Sequence, residues 1–412
     1  MARTWVILSV LLIGVAMPSE AEPIVDGAQR IRQLTAPALA GRGAGTREER
    51  QAAQLIADWL GEMDQVEPAF DGQWIQIFPL SGAAEDSSVN VAGILAGQGE
   101  LASRWIIIGA HLDHLGRVDP EAGGIPAPGE YYPGAGDNAS GVVAVLDVGR
   151  QLAGDRSETP RRSLLICSFG AEEVGLLGSA HLSRNLPVDA TMVDAMVNLD
   201  AVGRLADGSL HVAGLETCAL FAESLDKAAA GQAIKAQDAS LLRSDHASFI
   251  DVGIPALFFF TGAYPEMNAP ADSLSAVDLP GLERVARITT DLVHDLLREP
   301  GPFDFMPLPA PGPETSGGNR QTWFGSVPDF EGAELEGYVI GGVVAKGPAE
   351  TAGLLAGDVL VELAGQPVTD LATFTTAMRR HDPGDVVEVV AEREGRSLRF
   401  LVTLGDRSQR PN

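Results

Sequence analysis

Basic residues are scarce in this chain of 412 residues. Twenty-nine Lys plus Arg stand against 56 Asp plus Glu, a formal charge of −27, and Lys227, Lys235 and Lys346 are the only lysines. No arginine cluster makes up the deficit. Phosphate contacts need a basic face, so nucleic acid and anionic membrane surfaces are excluded as main partners. Cysteine is nearly absent too, with Cys167 and Cys218 the only two. Cys167 lies in the apolar run Leu164-Leu165-Ile166-Cys167, where a buried free thiol is expected. A Cys167–Cys218 disulfide is left open by the sequence. Past the first twenty residues, no apolar run is long enough to span a bilayer.

Residues 1–21 read as a secretory signal peptide. A single positive charge (Arg3) precedes an apolar stretch from Trp5 to Met17, which ends in Pro18-Ser19-Glu20-Ala21. The expectation is an exported protein, periplasmic or extracellular and soluble after cleavage, with no membrane span. The remaining composition, 45% hydrophobic and 21% charged, is that of a globular protein.

Over residues 22–299, short apolar runs alternate with helical spacing. Trp105 to Ala110, Leu164 to Phe169, Ala195 to Leu199 and Ala256 to Phe260 read as buried strands. Gly141 to Leu152, Thr217 to Ala230 and Leu279 to Leu297 read as helices. The pattern predicts an α/β domain with a mixed, mostly parallel sheet sandwiched by helices. Residues 300–320 are rich in Pro and Gly and read as a stiff linker. Residues 321–406 form a second, small β-rich domain, with strands at Gly337 to Val344, Val359 to Leu363, Val386 to Glu392 and Leu398 to Thr403, and a helix over Asp370 to Arg380.

In parallel sheets, ligands bind beyond the carboxyl ends of the strands. There the sequence places His111-Leu112-Asp113, Gly136-Asp137-Asn138-Ala139-Ser140-Gly141, Ala171-Glu172-Glu173, Asp200 and Ser244-Asp245-His246. Each has an ordinary reading: a helix N-cap for Asp137 or Asn138, solvated surface for Glu172-Glu173, a structural hydrogen bond for His111 with Asp113. Together they crowd like charges into one cleft, which is costly unless a cation neutralises them, and imidazole with carboxylates suits zinc.

This set, in this order and spacing across residues 25–298, resembles the co-catalytic di-zinc aminopeptidase family, which includes glutamate carboxypeptidase, glutaminyl cyclase and the transferrin receptor ectodomain. The resemblance implies that His111, Asp137 and Asp200 hold one zinc. Asp137 bridges to a second zinc that Glu173 also holds, so one or two zinc ions are expected per chain. Glu172 is implied as the general base and Asp113 as the residue that orients His111. The family usually supplies a further histidine after the last strand. Counting back from Asp272-Ser273 places Asn268 there. The fifth position then falls to Asn268 through its oxygen or to His246, or the second site is weak.

Gly347-Pro348-Ala349-Glu350-Thr351-Ala352-Gly353-Leu354 and Gly357-Asp358-Val359-Leu360 resemble a PDZ domain of the kind attached to exported bacterial proteases. The turn Trp323-Phe324-Gly325-Ser326 corresponds to the turn that catches a peptide C-terminus. The expected function is an exported zinc aminopeptidase acting on peptides. The alternatives are a non-catalytic binding protein that kept the fold, and a glutaminyl-cyclase-like enzyme.

Overall fold

The computed structural model describes residues 26–80, 86–117, 131–206, 208–237, 239, 244–308, 322–328, 337–344, 346–369, 371–378, 380–393 and 395–406. The signal-peptide reading (1–21) and residues 309–320 of the linker fall outside the described residues.

The α/β domain runs α1 (Gly27–Leu34), α2 (Arg47–Gly61), β1 (Val66–Pro68), β2 (Ile75–Pro79), β3 (Ser87–Leu95), β4 (Trp105–His111), α3 (Ser140–Ala153), β5 (Ser163–Phe169), α4 (Leu177–Arg184), β6 (Val193–Leu199), β7 (Leu210–Ala213), α5 (Phe221–Ala229), β8 (Ile234–Gln237), α6 (His246–Ile250), β9 (Ala256–Phe260) and α7 (Leu279–Arg298). Nine strands form one sheet in the order β1-β3-β5-β4-β6-β9-β7-β8, with β2 beside β1 on the edge of β3. The four central strands β5-β4-β6-β9 are parallel. The flanks are not: β3 joins β5, and β7 joins β9, antiparallel. The four buried strands read from the sequence are thus the parallel centre of a mixed sheet, which antiparallel joins extend on both flanks, with β7 and β8 again parallel to each other.

Alternation along β4 explains the two-sided burial. Ile106, Ile108 and Ala110 enter the core under α1, α2, α3, α5 and α7, whereas Ile107 enters the opposite core with Leu182 of α4 and Phe249 of α6. His111 pairs with Phe169, and Leu199 with Phe259, so the carboxyl ends of the central strands lie along one edge.

Residues 300–308 are more than a spacer. Phe303 is buried and its N–H donates to Asp194, whose carboxylate is held by both Arg104 and Arg162. The Arg162 guanidinium lies over the Phe303 ring at 4.5 Å. Both cysteines are buried and free, so there is no Cys167–Cys218 disulfide.

The second domain contains β10 (Thr322–Trp323), β11 (Ser326–Pro328), β12 (Tyr338–Val343), α8 (Pro348–Thr351), β13 (Val359–Leu363), β14 (Gln366–Pro367), α9 (Leu371–Met378), β15 (Val386–Arg393), β16 (Arg396–Thr403) and β17 (Gly405–Asp406). Its core gathers Ile340, Leu354, Leu360, Leu363, Val389 and Val402. Trp323 and Phe324 are buried, Phe324 edge-on to Phe374 at 5.2 Å. The carbonyls of Phe324 and Gly325 accept from the N–H groups of Ala349 and Val344 at 2.9 Å each, and Ser326 Oγ meets Tyr338 Oη at 2.8 Å.

Helix α2 begins at Thr46, whose hydroxyl accepts from the Glu49 N–H at 3.1 Å. The Glu49 carboxylate accepts from the Gly45 N–H (2.8 Å) and from Ser88 Oγ on β3 (2.5 Å), tying the helix to the sheet. Burial pushes Glu49 up to about 7, with the bonds from Ser88 and Gly45 pulling against it. A carboxyl group raised in the folded state binds more protons there than in the unfolded chain. Its contribution is complete below the unfolded value and is lost as pH rises through about 7. Glu49→Gln removes that loss. Between pH 4.5 and 8, urea unfolding is expected to move the stability difference toward the variant by about 2–3 kcal/mol. A pH-independent difference contradicts the assignment.

Candidate metal centre and active site

His111 is the last residue of β4 and is buried. Its Nδ1 lies 3.1 Å from the Asp113 carbonyl oxygen, which places a proton on Nδ1 and turns Nε2 toward the cleft. That Nε2 is 3.2 Å from Asp137 Oδ1 and 3.1 Å from Asp200 Oδ1. Polar atoms from three separate segments therefore converge on one point, an arrangement that a proton on Nε2 or a bound cation would reconcile. Burial opposes charge on His111, yet Asp200, Glu172 and Asp137 override it and hold its pKa well above the ordinary value.

Asp137 precedes α3 in a stretch whose backbone is not helical at Asp137 and Asn138. Two neighbours fix it. The Asp272 carboxylate accepts from the Gly136 N–H (2.9 Å) and the Asp137 N–H (3.1 Å). The Asn138 carboxamide donates to the Leu199 carbonyl (2.9 Å) and accepts from the N–H groups of Gly141 (2.9 Å) and Ala201 (3.3 Å), stitching the start of α3 to the end of β6. Asp200 follows β6 and accepts from Ser244 Oγ at 2.7 Å. Burial raises Asp137 to about 6, and Glu173 and Asp200 push in the same direction. Burial also acts on Asp200, but His111 and Ser244 hold its pKa below the ordinary carboxylate value.

The resemblance implied Asp113 as the residue that orients His111, but the close contact to the ring comes from its backbone carbonyl, and the carboxylate is engaged elsewhere. It is 3.8 Å from His111 Nδ1, farther than its own backbone carbonyl, and it accepts the N–H groups of Glu172 (3.0 Å) and Glu173 (3.3 Å). One buried aspartate thus positions both glutamates. Burial pushes Glu172 well above the ordinary carboxyl value, with His111 pulling down and Glu173 and Asp200 pushing up.

Donor atoms of His111, Asp137 and Glu173 lie within 4.8 Å of one another. Asp200 reaches the group through His111. Asn268 sits on the turn between Tyr264 and Asp272 with its Oδ1 buried and without a hydrogen-bond partner. His246 opens α6 and stacks on Phe258 with ring centroids 4.7 Å apart.

Several residues of the centre are not evident from the sequence. His114 is buried, with its Nδ1 2.7 Å from Glu173 Oε1. The spacing His111-Leu112-Asp113-His114 hints at it, since it follows the same strand end. Tyr264 Oη donates to Asp272 at 3.1 Å, under Arg204 at 4.4 Å from its ring.

Residues 90–293 match the model of Peptidase family M28, and residues 325–404 that of a PDZ domain. The α/β domain belongs to peptidase family M28, and a PDZ domain follows it. A "Probable leucine aminopeptidase" from Arthroderma otae is 27% identical over 267 residues, 60% of this chain and 67% of the relative. "Aminopeptidase YwaD" from Bacillus subtilis is 28% identical over 232 residues, 53% of this chain and 47% of the relative. The chain thus spans between about half and two thirds of the length of these curated relatives. Among solved structures, the M28 domain shares its fold with a zinc aminopeptidase from Bacillus subtilis (TM-score 0.53, 19% identity, 68% of this chain and 97% of that one). It also shares the fold with a Porphyromonas gingivalis glutaminyl cyclase (TM-score 0.52, 18% identity, 68% and 100%).

A Cβ on Gly141 would overlap Asn138 Oδ1 and the Leu199 carbonyl oxygen. Gly141→Ala in the M28 domain is expected to cost about 1–3 kcal/mol in denaturant unfolding. A variant as stable as the parent contradicts the stitch.

Proposed function

We propose that the chain is an exported zinc aminopeptidase that removes N-terminal residues from peptides, with Glu172 as general base. The observation that carries this reading is the convergence of His111 Nε2 on Asp137 and Asp200 at 3.1–3.2 Å. The donor set of one imidazole and two carboxylates is that of an open catalytic zinc position. His111, Asp137 and Asp200 would hold the ion, and Glu173 would add a carboxylate from the same donor group. Bound there, zinc supplies a Lewis acid that polarises the scissile carbonyl and makes water acidic enough to react near neutral pH.

The residues supply the rest. Glu172 lies beside the ligand set, with its backbone N–H fixed by Asp113. Burial raises its proton affinity, so it can take a proton from the attacking water and hand it to the leaving amine. Leucine-type aminopeptidase relatives support removal of N-terminal residues as the reaction. The leader-like residues 1–21 support export. Among the described residues, no helix is long and apolar enough to cross a membrane. The PDZ domain supports recruitment of peptide C-termini at the turn 323–326, close to a cavity of about 310 Å³ lined by Trp323, Lys346, Pro348 and Leu401.

Glu172→Gln is expected to fold and to keep its zinc while losing about 10²–10⁴-fold in kcat on aminoacyl anilides. His111→Ala is expected to lose its zinc. Full turnover in Glu172→Gln contradicts the base assignment.

A further inference from the structure

Asp137 stands where no helix holds it. Its backbone and that of Asn138 are not helical, so the Gly136 and Asp137 amides find their acceptor in another segment. Asp272 supplies it. Its Oδ1 accepts from the Gly136 N–H at 2.9 Å, its Oδ2 from the Asp137 N–H at 3.1 Å, and its carbonyl from the Ala135 N–H at 3.1 Å. Rotation of an aspartate carboxylate about its last bond is soft, so its orientation is set by the groups that donate to it. Two of those donors belong to the very stretch that has to be positioned. The third, Tyr264 Oη on Asp272 Oδ2 at 3.1 Å, is independent of it.

Tyr264 is itself fixed from behind. The Arg204 guanidinium lies 4.4 Å from its ring centroid and is held by Glu266 at 2.8 Å. The Arg204 N–H donates to Thr261 Oγ1 at 3.1 Å, and that hydroxyl donates at 2.6 Å to the carbonyl of Ala201, the residue after Asp200. The segments that follow β6 and β9 thus form one frame, with the phenol at its tip. The phenol reaches over Gly136, where an added Cβ would overlap Tyr264 Oη. Burial, with the Asp272 and Asp137 carboxylates nearby, holds the phenol well above its ordinary pKa, so it remains a donor.

The geometry points to Tyr264 as a positioning residue: through Asp272 it fixes the Asp137 backbone against the frame that carries Asp200, and so sets the zinc affinity of the centre. Its hydroxyl acts through the Asp272 carboxylate and not on the reacting atoms. Hydrogen bonds that orient a metal ligand from outside account for about 10–100-fold in metal affinity. Tyr264 is one bond farther out than Asp272, which places its effect at the lower end. The inference rests on the metallopeptidase reading above and adds to it a residue that the reading does not use.

The test uses the full chain, stripped by a chelator. Zinc affinity is read by competition against a fluorescent zinc indicator, and metal-free stability by urea unfolding. Tyr264→Phe keeps the ring and the Arg204 stack and removes only the hydroxyl. It is expected to weaken the tightest zinc about tenfold. In an Asp272→Asn background the same change is expected to weaken zinc no further, because the two groups act as one unit. A Tyr264→Phe chain that loses stability but binds zinc as tightly as the native chain marks the hydroxyl as packing alone and overturns the inference. A full additional loss in the Asp272→Asn background overturns it as well. His111→Ala separates the two levels. If it keeps its zinc, the reading of the whole centre falls. If it loses zinc while Tyr264→Phe keeps the native affinity, this inference alone falls.

Discussion

Buried negative charge organises this molecule. Asp113, Asp137, Glu172, Glu173 and Asp200 are brought to one end of a sheet whose central strands are among the most apolar parts of the chain, and burial penalises the ionised forms of Asp113, Asp137, Glu172 and Asp200 there. One imidazole nitrogen is turned toward two of them, 3.1–3.2 Å from each, and a positive charge there, on the ring or on a bound ion, offsets their repulsion. The bond from His111 Nδ1 to the Asp113 carbonyl fixes the ring so that Nε2 is the atom presented to these acids.

The fold holds this arrangement with backbone groups wherever it can. Asp113 receives two N–H groups from the Glu172–Glu173 turn, Asp272 receives two from Gly136 and Asp137, and Asn138 bridges the ends of β6 and α3. Backbone donors do not titrate and cannot change rotamer, so they keep acids close together over a wide pH range. Glu49 extends the same support outward, linking α2 to β3 beneath the Glu172 turn. Behind the sheet, Asp194 gathers Arg104, Arg162 and Phe303, which ties the start of the Pro-rich segment to the M28 domain.

Much of this was legible in the sequence, for a simple reason. The four central strands are uninterrupted apolar runs, and polar residues follow them, so Asp113, Glu172 and Asp200 announced themselves by position, and Asp137 by standing just before α3. The antiparallel flanks were harder to see: β1 and β2 are short and half-exposed, and their pairing with β3 is set by tertiary contacts rather than by local pattern. His114 was hidden in plain view. Its partner Glu173 is 59 residues away, and nothing local distinguishes it from a packed imidazole. The double use of Asp113, carbonyl to His111 and carboxylate to two amides, depends on how the β5–α4 turn folds back over it. Asn268 could be read from sequence as a missing imidazole, but its orphaned oxygen belongs to the fold alone.

The most direct measurement is anomalous diffraction at the zinc edge from crystals of the chain grown with one equivalent of zinc. The account predicts a single strong peak about 2.0–2.2 Å from His111 Nε2 and from one oxygen each of Asp137 and Asp200. A structure in which those three side chains keep these positions while the zinc binds elsewhere, or not at all, would contradict it.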